Sequence, residues 1–344
     1  MMRKAYADGD LRYGVIGCGI QGEKHVQVID LIPNATVVAV ADMNEERARM
    51  VGLRHGARHA LADWRDLLAV DEIEAVSIAL PDHLHREVTI AALEAGKHVL
   101  LEKPMATSVE DAEAMLAAQQ ASGRKLMINW SNRWMSAFAK TKEQLDAGTL
   151  GDPLYVYARL NNTLYVPTQM LSWSANTQLP FWLICHRYDI ARWYFGCEAT
   201  RVYAVARSTV LKDKGIDTPD FYAVIVEFEG GQVGNFESCW ILPESLPYLV
   251  DSKFQLVCSA GYVNVDPTPP VHQVATADSY AHEGFLFGNV MGQPVGFVRS
   301  AIEHFVNCCL TGAEPLITGA DGLHITRALA AMVESAQTGQ PVEL

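Results

Sequence analysis

Short apolar runs alternate with amphipathic stretches through the first third of the chain. The runs at 13–16, 37–41, 73–80 (IEAVSIAL), 97–101 and 126–130 are rich in β-branched and small residues, as strands buried on both faces are. Between them lie predicted helices. Asn44 caps one that runs to about position 51, Asp63 caps another through 69, and Ser108 with Asp111 opens a third that ends at 122–123. The stretch 84–95 is amphipathic and stops at Gly96, and a short strand is expected near 58–60. Strands alternating with helices over about 125 residues predict a parallel sheet covered by helices on both faces.

Beyond Trp130 the texture changes. A helix at 137–147 ends at Gly148, and Gly151-Asp152-Pro153 turns into strand-like runs at 154–161, 201–208, 221–228, 232–241 and 254–258. Gly230-Gly231 and other short turns between these runs predict antiparallel hairpins. In 221–228, Ala223 and Ile225 alternate with Tyr222, Val224, Val226 and Phe228, so both faces are apolar. One face then packs on helices and the other is a candidate surface for a second copy. Helical patterns recur at 297–310 and 323–336, a stiff turn is expected at 266–270, and 272–294 carries little signal. The chain is accordingly read as two domains, 1–126 and 127–344.

At 344 residues there is room for two cores, and 49% hydrophobic with 19% charged residues describes an ordinary globular protein. A net charge of −13 without a basic cluster excludes a nucleic-acid footprint and disfavours anionic membrane surfaces. No apolar run reaches membrane-span length, and MMRKAYADGD lacks the apolar core of a secretion signal. Seven cysteines without C-x-x-C spacing read as reduced core residues, giving a cytoplasmic expectation and no metal site.

The candidate chemistry begins at Gly17, Gly19 and Gly22, spaced G-x-G-x-x-G between the first strand and the first helix. The first glycine permits the turn, the second admits a pyrophosphate to the backbone, and the third lets helix and strand approach. The helix N-terminus offers unpaired N–H groups and a positive dipole end to the phosphates. Asp42 lies 20 residues past Gly22 at the tip of the second strand, where a carboxylate accepts from a ribose 2′-OH. Met43 and Asn44 follow it, with no arginine for a 2′-phosphate, so NAD is favoured over NADP.

Four markers in order, VIGCGIQG, PDHLH, EKP and HRYD, resemble the Gfo/Idh/MocA family of oxidoreductases; the likeness extends over nearly the whole chain, through GDP at 151–153 to the closing GQPVEL. The resemblance implies an N-terminal NAD-binding Rossmann domain, with a doubly wound parallel sheet. It further implies a C-terminal α/β domain with an open, largely antiparallel sheet, used for substrate binding and oligomerisation as a homodimer or homotetramer. Substrates in the family are commonly sugars, cyclitols and related polyols.

Lys103 follows a strand end, the ligand side of a parallel sheet, and Pro104 stiffens its turn. Its ammonium can stabilise a developing alkoxide, and the resemblance makes it catalytic. Pro81, His85 and Glu102 surround the same strand ends. With Ile20, Gln21, Met43 and Leu80 they complete the expected cofactor set. His186, on a predicted helix with Tyr188 and Asp189 close by, is the candidate general base. Arg133 and Asp189 read as architectural groups.

One departure stands out. The family pattern D-x-x-x-H has an aspartate one helical turn before the histidine, and here that position is Trp182, whose indole cannot accept a hydrogen bond. Trp182 is then a stacking surface for a sugar or a core residue. Asn161, Tyr165, Trp173, Asn176 and Gln178 are candidates for the missing substrate contacts. The leading expectation is an NAD-dependent dehydrogenase acting on a secondary alcohol of a sugar or cyclitol, with Lys103 and His186 acting at the nicotinamide. One alternative is transient use of NAD for elimination, glycosidic cleavage or epimerisation. Another is a non-enzymatic, dinucleotide-responsive binding protein.

Overall fold

The computed structural model describes residues 9–267, 272–276, 280–283, 287–291 and 293–344. Part of the turn expected at 266–270 lies outside them. The described residues gather into two compact units, 9–131 with 288–323 and 132–287 with 324–344. The segment 288–323, which a division at 126/127 assigns to the second domain, gathers with the first.

In the first unit, β1 (Leu11–Ile16), α1 (Ile20–Ile29), β2 (Ala35–Ala41), α2 (Glu45–His55), β3 (His59–Leu61), α3 (Trp64–Leu68) and β4 (Ala75–Ile78) follow one another. Then come α4 (His85–Glu94), β5 (His98–Leu101), α5 (Val109–Ser122) and β6 (Leu126–Ile128). All six strands are parallel, in the order β3-β2-β1-β4-β5-β6. Every residue of β2 is buried, which is why its sequence is apolar but for Thr36, whose hydroxyl donates to Asp10. The predicted caps form: Asn44 accepts from the N–H of Arg47, Asp63 from that of Arg65, and Ser108 from that of Asp111. Strand order reverses between β1 and β4, so a crevice opens at their carboxyl ends, where β1 leads into Gly17 and β4 towards Pro81.

The second unit contains α6 (Ser136–Asp146), β7 (Pro153–Asn162), α7 (Cys185–Phe195), β8 (Ala199–Arg207), α8 (Val210–Asp213), β9 (Phe221–Phe228), β10 (Val233–Cys239), β11 (Val250–Cys258) and β12 (Tyr262–Val265). Two small pairs follow, β13 (His272–Ala275) with β14 (Tyr280–Glu283) and β15 (Phe287–Val290) with β16 (Gln293–Gly296). The chain ends with α9 (Phe297–Thr311), α10 (Gly319–Thr338) and β17 (Val342–Glu343). Helix α9 explains the return of 288–323 to the first unit. Its Phe305, fully buried, meets the ring of Tyr13 on β1 edge-on at 6.4 Å.

The large sheet of the second unit runs β12-β11-β7-β10-β9-β8-β17. Every pairing is antiparallel except β7 with β10. The Gly230-Gly231 hairpin joins β9 to β10, with Gly231 at φ 81°. Tyr222, Val224, Val226 and Phe228 of β9 are buried. There Tyr188 of α7 stacks on Phe228 at 5.9 Å and Phe195 meets it edge-on at 4.8 Å. On the opposite face Phe221 and Ile225 are exposed. No helix among the described residues is long and apolar enough to cross a membrane.

Candidate functional site

The glycine loop has little latitude. Gly17 sits at φ 89°, and a Cβ there would lie 2.3 Å from the carbonyl oxygen of Ala79. A Cβ on Gly22 would lie 1.7 Å from the carbonyl oxygen of Gly17, so only glycine lets α1 pack this close to the turn. Gly19 differs, because a Cβ there would meet nothing within 4 Å. Open space above this glycine, at a helix N-cap without a side-chain cap, is the cradle that a pyrophosphate needs. Ile20, Gln21 and Met43 are exposed beside it.

Asp42 is buried at the end of β2, and its two oxygens are anchored separately. Oδ2 accepts from the N–H of Cys18 and Oδ1 from the N–H of Asn44, both at 2.8 Å. The carboxylate is thereby held against the loop, with lone pairs left for a ribose diol. Burial, with Asp42 adding to it, pushes the Cys18 thiol up to about 12, so this cysteine is inert. Arg47, half-exposed on α2, reaches to 3.4 Å from Asp42 Oδ2. Inspection of Met43 and Asn44 alone misses it, since the first turn of α2 brings position 47 back to the strand tip. These groups fit a dinucleotide.

At the neighbouring strand ends Leu80 and Pro81 are half-buried. His85 is buried, with Nδ1 2.8 Å from the carbonyl oxygen of Pro104 and Nε2 3.0 Å from that of Leu80. Both ring nitrogens face backbone carbonyls, and the neutral ring donates to one of them at a time. Burial lowers its pKa. Lys103 is half-buried, one residue beyond Glu102 at the end of β5. Glu102 accepts from Asn129 Nδ2 at 2.7 Å and lies 2.9 Å from His25 Nε2. Burial alone would raise its pKa, but the hydrogen bond from His25, the hydrogen bond from Asn129 and the charge of Lys103 together hold it low.

In the second unit, His186 is half-buried on the first turn of α7, directly after a wide helical turn at Pro180–Ile184. Trp182 in that turn donates its indole N–H to Asn162 Oδ1 at 3.0 Å and meets Trp173 edge-on at 5.7 Å. The indole therefore has its own acceptor at the end of β7, a partner that the sequence reading did not single out. Asn161, expected as a substrate contact, is spent inside the fold: Nδ2 donates to Asp251 Oδ2 at 3.0 Å and Oδ1 accepts from the N–H of Cys239 at 2.8 Å. Nothing in local sequence points to either contact, because Cys239 and Asp251 come from other strands.

Gln178 accepts from the Tyr222 hydroxyl, and Tyr165 and Asn176 are exposed. Tyr188 is fully buried against Phe228, and burial drives its pKa up, so it is a core tyrosine. Asp189 receives a two-pronged contact from Arg133, with Nη2 2.7 Å from Oδ1 and Nε 3.1 Å from Oδ2. The seven cysteines form no disulfide, and no group of three or more His, Cys, Asp or Glu among the described residues could hold a metal ion.

The chain matches known proteins over both of its domains. The profile of an oxidoreductase family with an NAD-binding Rossmann fold matches residues 11–130, and that of the GFO/IDH/MocA C-terminal domain matches 138–264. The chain is 27% identical to inositol 2-dehydrogenase 1 of Saccharopolyspora erythraea, across 97% of this chain and 96% of that one. It is 28% identical to D-xylose 1-dehydrogenase (NADP(+)) 2 of Haloferax volcanii, across 97% and 100%. The structure of scyllo-inositol dehydrogenase from Lactobacillus casei with bound NAD(H) and scyllo-inositol shares the fold at a TM-score of 0.82 and 20% identity, covering 97% of this chain and 99% of that one. With both of its domains matched in order, the chain belongs to the Gfo/Idh/MocA oxidoreductase family.

Proposed function

We propose that this protein is an NAD-dependent dehydrogenase that oxidises or reduces a secondary alcohol of a cyclitol or sugar. The observation that carries this reading is Asp42, fixed by the N–H groups of Cys18 and Asn44 beside the open backbone of Gly19. A carboxylate there accepts from ribose hydroxyls and repels a 2′-phosphate. Arg47 offsets part of that repulsion, so the preference for NAD is a matter of degree. Bound NAD supplies the hydride acceptor. Lys103 stabilises negative charge on the substrate oxygen, and His186 takes the alcohol proton. Trp182 presents an aromatic surface to the C–H face of the ring, its N–H already satisfied by Asn162. Relatives named for inositol and xylose support a polyol substrate.

The test is NAD reduction with a panel of inositols and aldoses, run with NAD and with NADP. Wild-type enzyme is expected to release stoichiometric NADH with at least one polyol and to prefer NAD, and Asp42→Ala to lose that preference. No reduction with any of them overturns the reading. Trp182 also favours a second possibility, because an acceptor of the usual kind is absent from its position. Turnover without net NADH release and without added NAD would identify transient oxidation instead.

The open face of the large sheet is proposed to take a second copy. Tyr203 and Ile225, 42% and 47% exposed, pair across β8 and β9 on that face, and Phe221 at 37% extends the apolar surface. Light scattering at micromolar concentration is expected to give a dimer or tetramer mass, and Ile225→Lys to lower it. A monomer mass for the wild type overturns the assignment.

A further inference from the structure

Below the glycine loop a hydrogen-bond chain crosses the first unit and ends on Glu102. His25, in the second turn of α1, is 0% exposed. Its Nδ1 lies 2.8 Å from Ser77 Oγ on β4, and its Nε2 lies 2.9 Å from Glu102 Oε1. The Tyr13 hydroxyl on β1 is 3.0 Å from the same Ser77 Oγ, and Asn129, just past β6, donates to Glu102 Oε1 at 2.7 Å. Five residues from α1 and from on or just beyond four strands therefore share one buried network.

Its hydrogens can be placed from chemistry alone. An ionised carboxylate only accepts, so Nε2 of His25 carries a hydrogen and donates it to Glu102. In the neutral ring Nδ1 then accepts, and the Ser77 hydroxyl donates to it. Ser77 Oγ is left to accept from Tyr13. Every hydrogen has an acceptor in one direction, Tyr13 to Ser77 to His25 to Glu102. Such a chain stiffens its last member.

We infer that His25 is a positioning residue, which locks the Glu102 carboxylate ionised and in place so that the adjoining Lys103 is presented in one orientation. This rests on the role proposed above for Lys103. The charged and titratable groups that face Glu102 are His25 and Lys24 from α1, Lys103 beyond β5, and His85 from α4, and none of them is a second acid. Glu102 therefore supplies the negative charge of this cluster. Its pKa is held down partly by His25, so loss of that donor leaves the opposing effect of burial to raise it.

The experiment compares His25→Leu, His25→Gln and Tyr13→Phe in full-length protein. His25→Leu is expected to lower kcat by about tenfold to 10²-fold, with NAD affinity within a few-fold of wild type. The acid limb of its kcat–pH profile moves up by about one unit as Glu102 becomes easier to protonate. His25→Gln, which can still donate towards Glu102, recovers most of kcat, whereas a proton-carrying histidine would not be rescued. Tyr13→Phe, at the far end of the chain, stays close to wild type in kcat.

A second readout needs no substrate. In wild-type protein the His25 Nε2–H gives a slowly exchanging imidazole resonance by NMR, and Glu102→Leu abolishes it. An unshifted acid limb in a folded His25→Leu protein, or the absence of that resonance from wild type, overturns the inference. If wild type turns over no polyol while the resonance behaves as described, it is the dehydrogenase reading that has failed, not the hydrogen-bond chain.

Discussion

Lys103→Met is expected to lower kcat by about 10²–10³-fold or more, while NAD binds within a few-fold of wild type. Methionine keeps an unbranched apolar stem close to that of lysine and removes the terminal ammonium with its charge and donors. Nucleotide affinity rests on other groups, namely the backbone around Gly19 and the Asp42 carboxylate fixed by Cys18 and Asn44. The loss therefore falls on kcat. Lys103→Arg is expected to recover little, because a planar fork cannot take the place of a compact ammonium at a site held by a stiff turn. The measurement is steady-state kinetics beside NAD titration by intrinsic fluorescence. Undiminished kcat in Lys103→Met removes this residue from the mechanism, and loss of NAD binding moves its role to the cofactor.

Legibility in the sequence followed how local each interaction is. The parallel sheet could be read because β2 and β4 are wholly buried and show as runs of apolar and small residues. Caps at Asn44, Asp63 and Ser108 could be read because donor and acceptor lie two or three residues apart. The glycine loop could be read because Gly22 is confined by Gly17 only five residues before it, although Gly17 itself is confined by Ala79 beyond β4.

What stayed hidden depends on side chains brought together from distant segments. Asn161 and Asn162 are adjacent and chemically identical, yet one is consumed by Asp251 and Cys239 while the other serves Trp182. Which of the two does which is fixed by the pairing of β7 with β10 and β11, and by the wide turn before α7. His25 is hidden for the same reason, since its partners Ser77 and Glu102 lie 52 and 77 residues away. Arg47 escaped notice because only the trajectory of α2 returns it to Asp42.

Asp189→Ala is expected to destabilise the second unit by about 3–5 kcal/mol, because it breaks a buried ion pair by removing the carboxylate that the Arg133 guanidinium contacts at two points. Both side chains are almost wholly buried, at 3% and 0% exposure, and the contact is two-pronged. The Trp193 ring lies 5.3 Å from the guanidinium carbon, which adds to what holds the arginine in place. Arg133 precedes α6 and Asp189 lies in the middle of α7, so the pair pins α7, the helix that carries His186. Desolvating two charges consumes much of their attraction, so removing both differs from removing one. Arg133→Met with Asp189→Leu is expected to melt closer to wild type than either single variant, a coupling that a double-mutant cycle measures directly. That double variant also separates architecture from chemistry. Once folded, it keeps His186 on an intact helix, and its kcat should stay within about tenfold of wild type, well above the floor set by losing a general base. A folded but inactive double variant would give Asp189 a part in proton transfer, and an unchanged melting temperature for Asp189→Ala would end the claim that the pair holds α7 in place.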